Sequence, residues 1–311
     1  MSFSQTAKHE LARFLPQDLC CQKSELAAFL VFSGSVEMRG GHRSSLTVLT
    51  EMPDVARKIV TLAHKALDAE TEVRARRKEK FKKNISYLVR IIPADPILEV
   101  LESLALLDRS RGSLAEVPWP LLRNSCCRWS FLRGAFLARG SVTDPEKTYH
   151  WEIVVEDEYM GEELIELVSL LGIHMGLAHR KGGFLVYSKA SEQISDLLAG
   201  MGAYNAMLSL ESTKVMKEMR NKVNRQVNCE TANVDKTVRA AMRQLAAINK
   251  LEAAGKLRKL PAKLRDLAEL RVANPSASLK ELGELLDPPV GKSTVANRLR
   301  RLEQIAREIE G

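Results

Sequence analysis

The sequence contains no run of about 18 consecutive apolar residues, the length that a membrane-spanning helix needs, so we expect no transmembrane segment. Its first residues, MSFSQTAKHELARFLPQ, lack an apolar stretch behind a basic start, so no secretory signal is expected. Apolar residues make up 45% and charged residues 28% of the 311, proportions typical of soluble globular proteins. This length is enough for two or three domains with buried cores. We therefore expect a cytoplasmic protein without a membrane partner.

Cysteine and histidine are scarce, and their spacing does not indicate a metal site. The five cysteines form two adjacent pairs, Cys20-Cys21 and Cys126-Cys127, with Cys229 alone. Adjacent pairs do not match the C-x-x-C spacing of zinc sites, and an odd number argues against a disulfide scaffold. The six histidines form no H-x-x-x-H pair. We interpret the cysteines as small buried apolar residues in a reducing cytoplasm, and we expect no metal and no cofactor.

Acidic residues are too few in the last third of the chain to balance its basic residues. Residues 213–311 contain 21 Lys and Arg against 12 Asp and Glu, whereas residues 1–212 contain 26 against 27. The net charge of +8 therefore belongs to the C-terminal part. A local basic surplus favours a polyanionic partner, and DNA is the commonest one in a cytoplasm.

A repeat dominates the first two thirds of the chain. The segment CCQKSELAAFLVFSGSV, from Cys20, aligns with CCRWSFLRGAFLARGSV, from Cys126, and seven of the seventeen positions are identical. Each copy is predicted to be an apolar helix that ends at a glycine, Gly34 or Gly140, and leads into a strand. Two unrelated helices with C-terminal glycines are the alternative, since such glycines are common, but the repeated Cys-Cys favours a duplication.

The two copies resemble the LAGLIDADG motif of homing endonucleases. In that family two such helices pack along a pseudo-two-fold axis, and each carries a metal-binding carboxylate just before the closing glycine. The small residues Ala28 and Gly134 suit close helix packing. At the metal-binding positions, however, this sequence has Ser33 and Arg139. Neither is an anionic oxygen ligand for Mg²⁺, so the resemblance implies the fold without catalysis, and we expect no enzyme activity.

The order of predicted elements supports a duplicated domain. Each half is predicted to run helix–strand–strand–helix–strand–strand–helix, with a hairpin at Gly40-Gly41 in the first half and another through Lys181-Gly182 in the second. The basic run Arg74–Lys83 could contact phosphates or be a solvated strand face. We predict a lead-in helix at 1–19, a duplicated LAGLIDADG-like domain at 20–215 with halves at about 20–110 and 126–203, a linker at 216–232, and a helical DNA-binding domain at 233–311.

A long helix is predicted to follow the linker. Asn233 is a suitable N-cap with Asp235 in the first turn. The helix carries an apolar stripe spaced by four and three residues, so we expect one face to be buried against a partner helix. The stripe consists of Val234, Val238, Ala241, Leu245 and Ile248.

The last 50 residues indicate a helix–turn–helix at about 277–310. Ser278 and Glu281 form a capping box that starts a helix with Leu279, Leu282, Leu285 and Leu286 on one side. The turn 287–291 is about five residues, longer than in most repressors, which favours a sigma-factor-like variant. The helix that follows has an apolar inner stripe of Val295, Leu299, Leu302 and Ala306, and a polar outer face. Such a helix suits the major groove, although an ordinary amphipathic helix with solvated arginines would show the same pattern.

Candidate DNA-binding residues lie on this outer face and at the preceding helix. Asn and Arg can form bidentate hydrogen bonds to adenine and guanine, respectively. The N-terminal part of the second helix normally contacts base edges, which favours Lys292, Ser293, Thr294 and Asn297, whereas Arg298, Arg300 and Arg301 suit phosphates. The full set of predicted contacts is Ser278, Lys280, Lys292, Ser293, Thr294, Asn297, Arg298, Arg300 and Arg301.

The whole chain resembles the WhiA family of bacterial regulators. The strings that carry the resemblance begin at Gly134 (GAFLARGSVTDPEK), Asn228 (NCETANVDKTV) and Lys292 (KSTVANRLRR). It implies an α+β fold with a two-repeat LAGLIDADG homing-endonuclease-like domain, plus an all-α C-terminal helix–turn–helix domain similar to region 4 of sigma factors. It also implies transcriptional control in cell division, chromosome segregation or sporulation.

We therefore predict a non-enzymatic, nucleoid-associated regulator whose partner is double-stranded DNA, with another regulator or RNA polymerase as a further partner. Two alternatives remain from the residues alone. One is an active LAGLIDADG endonuclease, and the other is a protein-interaction factor that does not contact DNA directly.

Overall fold

The computed structural model describes residues 2–37, 44–77, 85–108, 113–114, 116–180 and 182–309. The chain forms two compact units, Met1–Met216 and Lys217–Gly311. Within the described ranges, no helix combines the length and the apolar composition needed to cross a lipid bilayer.

The first half of unit 1 begins with a helix whose N-terminus is capped by its own residues. Ser2 and Gln5 form a capping box in which each side-chain oxygen accepts a hydrogen bond from the other's backbone amide. A helix thus lies within the segment 1–19 predicted as a lead-in helix, but it ends at Arg13. The elements of this half are α1 (Phe3–Arg13), α2 (Leu19–Ser33), β1 (Gly34–Glu37), β2 (Ser45–Thr50), α3 (Pro53–Leu67), β3 (Glu70–Arg77), β4 (Ile85–Ile92), α4 (Ile97–Ser103), β5 (Leu107–Asp108) and β6 (Ser113–Leu114).

The second half repeats the order of the first. A short 3-10 turn (Trp119–Leu121) precedes the second copy of the motif helix. The elements that follow are α5 (Ser125–Arg139), β7 (Gly140–Val142), β8 (Trp151–Val155), α6 (Glu158–Ser169), β9 (Gly176–Arg180), β10 (Gly183–Ser188) and α7 (Ser191–Met201).

Each half contains a four-stranded antiparallel sheet with the same topology. The strand orders are β1-β2-β4-β3 and β7-β8-β10-β9. Strand β8 shows why these strands form, because Trp151, Ile153 and Val155 are buried while the alternate residues are partly exposed. The predicted helix and strand order of both halves is confirmed.

Helices α2 and α5, which carry the repeated motif, pack directly against each other. Gly134 lies where the two backbones are closest: a Cβ there would lie 2.6 Å from the carbonyl oxygen of Glu25 and 2.8 Å from the Cβ of Ala28. Real Cβ atoms do not approach other atoms this closely, so only glycine fits. Ala28, the equivalent position in the first half, is fully buried. The close packing expected from these small residues is confirmed.

A buried ion cluster lies at the same interface. The fully buried carboxylate of Glu25 lies 2.5 Å from Nζ of Lys58 on α3 and accepts hydrogen bonds from Arg133 on α5 at 3.1 and 3.2 Å. Lys58 also donates to the carbonyl of Leu11, and Arg133 donates to that of Met201. Burial lowers the pKa of Lys58 to about 8. Buried charges are tolerated only when they are paired and hydrogen-bonded in this way.

Unit 2 is entirely helical and has its own core. Its helices after α8 (Tyr204–Ala253), which begins in unit 1, are α9 (Ala262–Ala273), α10 (Leu279–Glu284) and α11 (Lys292–Arg307). The apolar residues that these helices bury against one another include Ile248, Leu251, Leu267, Ala268, Leu282, Val295, Leu299 and Leu302.

The long helix differs from the prediction in two respects. Residues 216–232, predicted as a linker, and Asn233, predicted as an N-cap, both lie inside α8. No Gly or Pro occurs between residues 203 and 254, so nothing in this polar segment interrupts the helix. The predicted buried stripe is also wrong at its start, since Val234 is 60% and Val238 50% exposed, whereas Ala241 and Ile248 are buried.

Several predicted features fall wholly or partly outside the described residues. The hairpin at Gly40-Gly41 lies there, and so does Lys181 of the second hairpin. Of the basic run Arg74–Lys83, the structure describes the part within β3, where the Arg74 and Arg76 side chains are exposed. Arg74 lies 3.3 Å from the carboxylate of Glu72.

Replacing Glu25 by Gln should destabilise unit 1 by about 3–5 kcal/mol, because Lys58 and Arg133 would keep buried positive charge without a counter-charge. The three tryptophans of the chain, Trp119, Trp129 and Trp151, all lie in this unit. Urea unfolding followed by tryptophan fluorescence therefore measures its stability.

The matched control is Glu192→Gln. Glu192 pairs with Lys214 at 2.7 Å on the surface, where water screens the charges, so little change is expected. If both variants unfold at the urea concentration of the wild type, the buried cluster does not stabilise the helix pair.

Candidate functional site

The C-terminal helix α11 has the buried and exposed faces that the sequence predicts. Its four inner residues, Val295, Leu299, Leu302 and Ala306, are all buried in the core of unit 2. Most of the predicted outer residues on this helix are exposed, and Thr294 and Arg298 are half-buried. The exposed ones are Lys292, Ser293, Asn297, Arg300 and Arg301.

Some of the predicted contact residues are hydrogen-bonded to neighbours on the same helix. Arg300 donates to the Asn297 side-chain oxygen at 3.1 Å, and Arg301 donates to that of Gln304 at 2.9 Å. These bonds span one helical turn on an exposed surface. A base edge or a phosphate could therefore replace the partner at little cost.

The helix before it, α10, starts as predicted. The Ser278 hydroxyl accepts from the Glu281 amide at 3.3 Å, and the Glu281 carboxylate accepts from the Ser278 amide at 2.7 Å. This hydrogen bonding lowers the pKa of Glu281. The hydroxyl of Ser278 is thus engaged in the cap, while Lys280 in the first turn of α10 is exposed and lies 3.7 Å from Glu284.

The connection between α10 and α11 is longer than predicted. It covers residues 285–291, because α10 ends at Glu284, and Leu285, which was expected on the apolar side, is 56% exposed. Gly283 lets the end of this connection pack against α10. Its carbonyl accepts a hydrogen bond from the Val290 amide at 2.9 Å. A Cβ on residue 283 would lie 2.2 Å from the Val290 carbonyl oxygen, so a side chain does not fit there.

A buried arginine outside the predicted set fixes the start of α10. Arg271 on α9 is 1% exposed and donates to the Gln244 side-chain oxygen of α8 at 3.0 and 2.8 Å. It also donates to the carbonyl of Ala277, the residue before the Ser278 cap. Burial lowers the pKa of Arg271. Its spacing from Leu264, Leu267 and Ala268 places it on the apolar face of α9, a signal that the sequence contained.

Three lysines gather beside this cap. Lys236 of α8, Lys280 of α10 and Lys292 of α11 line one cleft of about 380 Å³, together with Ser278 and Thr237. Lys236 and Thr237 were not among the predicted residues, because they lie more than 40 positions away along the chain. Clustered ammonium groups form a surface that attracts phosphates.

In unit 1, the positions that correspond to the nuclease metal ligands lie at the ends of α2 and α5 and border a cleft of about 1000 Å³. The Ser33 hydroxyl donates to the carbonyl of Phe29 at 3.2 Å, and Arg139 donates to that of Phe32 at 2.7 Å. Arg139 also lies 3.6 Å from the Glu156 carboxylate. Lys8 borders the same cleft, and burial lowers its pKa to about 8. These positions therefore present a hydroxyl and a guanidinium.

The expectation that the cysteines are buried apolar residues holds for Cys21 and Cys127 and is wrong for Cys20, Cys126 and Cys229, which are exposed. The four sulfur atoms of the two adjacent pairs lie within 4.8 Å of one another, and this is the only converging group of three or more Cys, His, Asp or Glu side chains in the described part of the chain. Desolvation raises the pKa of the Cys21 thiol and raises that of Cys127 to about 11.

Three family models match the chain. The WhiA N-terminal LAGLIDADG-like domain matches residues 19–107, the WhiA LAGLIDADG-like domain matches residues 128–220, and the WhiA C-terminal HTH domain matches residues 223–306. The two repeat halves and the helix–turn–helix are thus each similar to a domain of one family.

Relatives match the whole chain. The Probable cell division protein WhiA of Heliobacterium modesticaldum is 46% identical over 98% of this chain and 96% of its own length, and that of Alkaliphilus metalliredigens is 44% identical over 98% of each. The crystal structure of full-length DUF199/WhiA from Thermotoga maritima superposes with a TM-score of 0.61 at 24% identity and covers 99% of both chains. This likeness is one of fold, and the predicted fold class is confirmed.

Replacing Gly283 by Ala should destabilise unit 2 by about 1–3 kcal/mol, because the added methyl would clash with the Val290 carbonyl in a packed turn. Far-UV circular dichroism during urea unfolding measures this change. Tryptophan fluorescence should be unaffected, since the tryptophans lie in unit 1.

The same substitution at Gly291 serves as the control, because a Cβ there meets nothing within 4 Å. It should have a smaller effect, limited to the weaker N-cap that alanine provides for α11. Equal losses in the two variants would contradict the role assigned to Gly283.

Proposed function

This chain belongs to the WhiA family, and on that premise we propose that it is a non-enzymatic DNA-binding protein that regulates transcription. The names of its relatives support a role in bacterial cell division. The family resemblance extends this role to chromosome segregation and sporulation genes. Double-stranded DNA is the proposed partner, with another regulator or RNA polymerase as a further one, and the proposed location is the cytoplasmic nucleoid.

The observation that carries the proposal is the division of α11 into a buried apolar face and an exposed face of Ser, Asn and Arg. The inner stripe fixes the helix to the core, so the outer side chains project from a rigid element. Asn297 can make two hydrogen bonds to one adenine, and the neighbouring Arg300 suits a phosphate. The basic surplus of residues 213–311 supplies attraction to phosphates that does not depend on base sequence.

The lysine cleft extends the proposed contact surface to the helices around α11. Lys280 and Lys292 line the same cleft as Lys236, so all three can neutralise phosphates beside the groove that α11 enters. The buried Arg271 holds the start of α10 against α8. Arg271 therefore keeps Ser278 and Lys280 in a fixed position. Its proposed role is to position these residues, since its own side chain is buried and does not contact DNA.

DNA cleavage is not part of the proposal, because the two positions that hold metal-binding carboxylates in the LAGLIDADG nucleases are occupied by Ser33 and Arg139. The polar groups of both side chains bond to main-chain carbonyls, and a guanidinium repels a divalent cation. The role proposed for the duplicated domain is to contact DNA or a protein partner.

We expect Arg301→Ala and Asn297→Ala to weaken DNA binding in different ways. Loss of a phosphate contact at Arg301 should reduce affinity for every duplex and lower the log–log salt slope by about 0.9. Loss of a base contact at Asn297 should cost roughly 1–3 kcal/mol on specific duplexes only. Fluorescence anisotropy over a range of salt concentrations measures both effects, with target duplexes taken from a genome-wide crosslinking map and scrambled duplexes for comparison.

Arg307→Ala is the control for these variants, since Arg307 is exposed in the last turn of α11, away from its N-terminal part. It should change affinity least. If all three variants behave alike on target and scrambled duplexes, the assigned roles are wrong. A wild-type affinity that does not depend on salt would instead favour the protein-interaction alternative.

Incubation of the full chain with supercoiled plasmid and Mg²⁺ or Mn²⁺ tests the absence of cleavage. We expect the plasmid to remain supercoiled, including when it carries target sites, because neither Ser33 nor Arg139 can supply an anionic ligand. Nicking at defined positions that disappears with EDTA would contradict the proposal and support the endonuclease alternative.

A further inference from the structure

The four paired cysteines form one cluster, although the sequence separates the two pairs by more than 100 residues. Each pair occupies the first turn of a motif helix, α2 or α5. Consecutive residues on a helix point about 100° apart, so one helix cannot surround an ion with two adjacent side chains. The pairing of α2 with α5 brings a second pair to face the first. The sulfur atoms thereby come within 4.8 Å of one another.

This arrangement has the composition and dimensions of a tetrathiolate metal site. Zinc binds four thiolates tetrahedrally at about 2.3 Å, which separates the sulfurs by about 3.8 Å. The observed spread needs only small side-chain rotations to reach that value. We propose that Cys20, Cys21, Cys126 and Cys127 bind one Zn²⁺ ion, which joins the N-terminal ends of α2 and α5.

Burial raises the pKa of the Cys21 and Cys127 thiols, and the position of the cysteines offsets part of that effect. All four lie in the first turns of α2 and α5, where the partial positive charge of a helix N-terminus favours thiolates. Ser130 hydrogen-bonds to Cys21, and its equivalent in the other half, Ser24, hydrogen-bonds to Cys127. Ser130 in turn accepts a hydrogen bond at 3.0 Å from the buried Arg133. Hydroxyl partners and a nearby cation are the kind of surrounding groups that orient and stabilise metal ligands.

The cluster is open to an incoming ion on one side. Cys20 and Cys126 are exposed, and Cys21 and Cys127 are buried behind them. The site lies at the N-terminal ends of the motif helices, whereas Ser33 and Arg139 lie at their C-terminal ends. The zinc site is therefore distinct from the positions where the nucleases hold their metals. Its role is structural, because four protein ligands leave no open coordination position.

Metal binding to the full chain tests the proposal directly. The protein is purified under reducing conditions, stripped with a chelator, and titrated with Zn²⁺ or with Co²⁺, whose visible absorption reports tetrahedral thiolate coordination. We expect one ion per chain, displacement of Co²⁺ by Zn²⁺, and a higher urea midpoint for the tryptophan-reported transition when zinc is bound. Absence of metal from a folded wild-type protein with free thiols would overturn the proposal.

The main variant is Cys20→Ser with Cys126→Ser, because exposed positions accept serine without disturbing the core. It should weaken zinc binding by more than about 100-fold and abolish the zinc-dependent stabilisation. Ser130→Ala should weaken binding by about 10–100-fold. The control is Cys229→Ser, which changes the one exposed cysteine outside the cluster and should bind zinc like the wild type.

Two further results would also contradict the site. One is equal zinc affinity in the Cys20, Cys126 double variant and the wild type. The other is a freshly purified, unstripped protein whose mass, measured without reduction, shows disulfides between the two cysteine pairs in place of a bound ion.

Discussion

The buried carboxylate of Glu25, held between Arg133 and Lys58, is the interaction on which the duplicated domain depends. It joins the two motif helices to each other and to α3, at the level where Gly134 lets their backbones come closest. An uncompensated charge at this depth would be costly, so the three groups must keep their mutual geometry. The helix pair is therefore maintained by packing and charge pairing, without any need for a metal at its C-terminal ends.

Unit 2 uses a buried guanidinium in a comparable way. Arg133 bonds the Met201 carbonyl at the end of α7, and Arg271 bonds the Ala277 carbonyl just before α10. In each case a cation buried in the core fixes a segment of main chain. For Arg271 that segment leads into the helix–turn–helix and lies beside the lysine cleft. The proposed DNA-binding face thus rests on a rigid support, which suits recognition of base edges.

Local patterns in the sequence predicted most of the fold, and tertiary pairing explains what they missed. The periodicity of α11, the capping box at Ser278 and the repeated motif each depend on residues close together in sequence, and all three are confirmed. The ion cluster joins residues 108 positions apart, and the cysteine cluster also requires α2 to face α5. The continuity of α8 is not predicted, because polar composition is typical of linkers. A segment of good helix formers without Gly or Pro can nevertheless continue a helix whose two ends are packed in the cores of the units.

Hydrogen exchange of the full chain, with and without a bound DNA duplex, tests the account most directly. Without DNA, the slowest amides should lie in α2 and α5, where burial and charge pairing are concentrated. With DNA, added protection should appear in residues 278–301, around α10 and the N-terminal part of α11. Protection confined to the C-terminal ends of α2 and α5 near Ser33 and Arg139, with none in residues 278–301, would show that DNA binds at the cleft in unit 1 and would contradict the account.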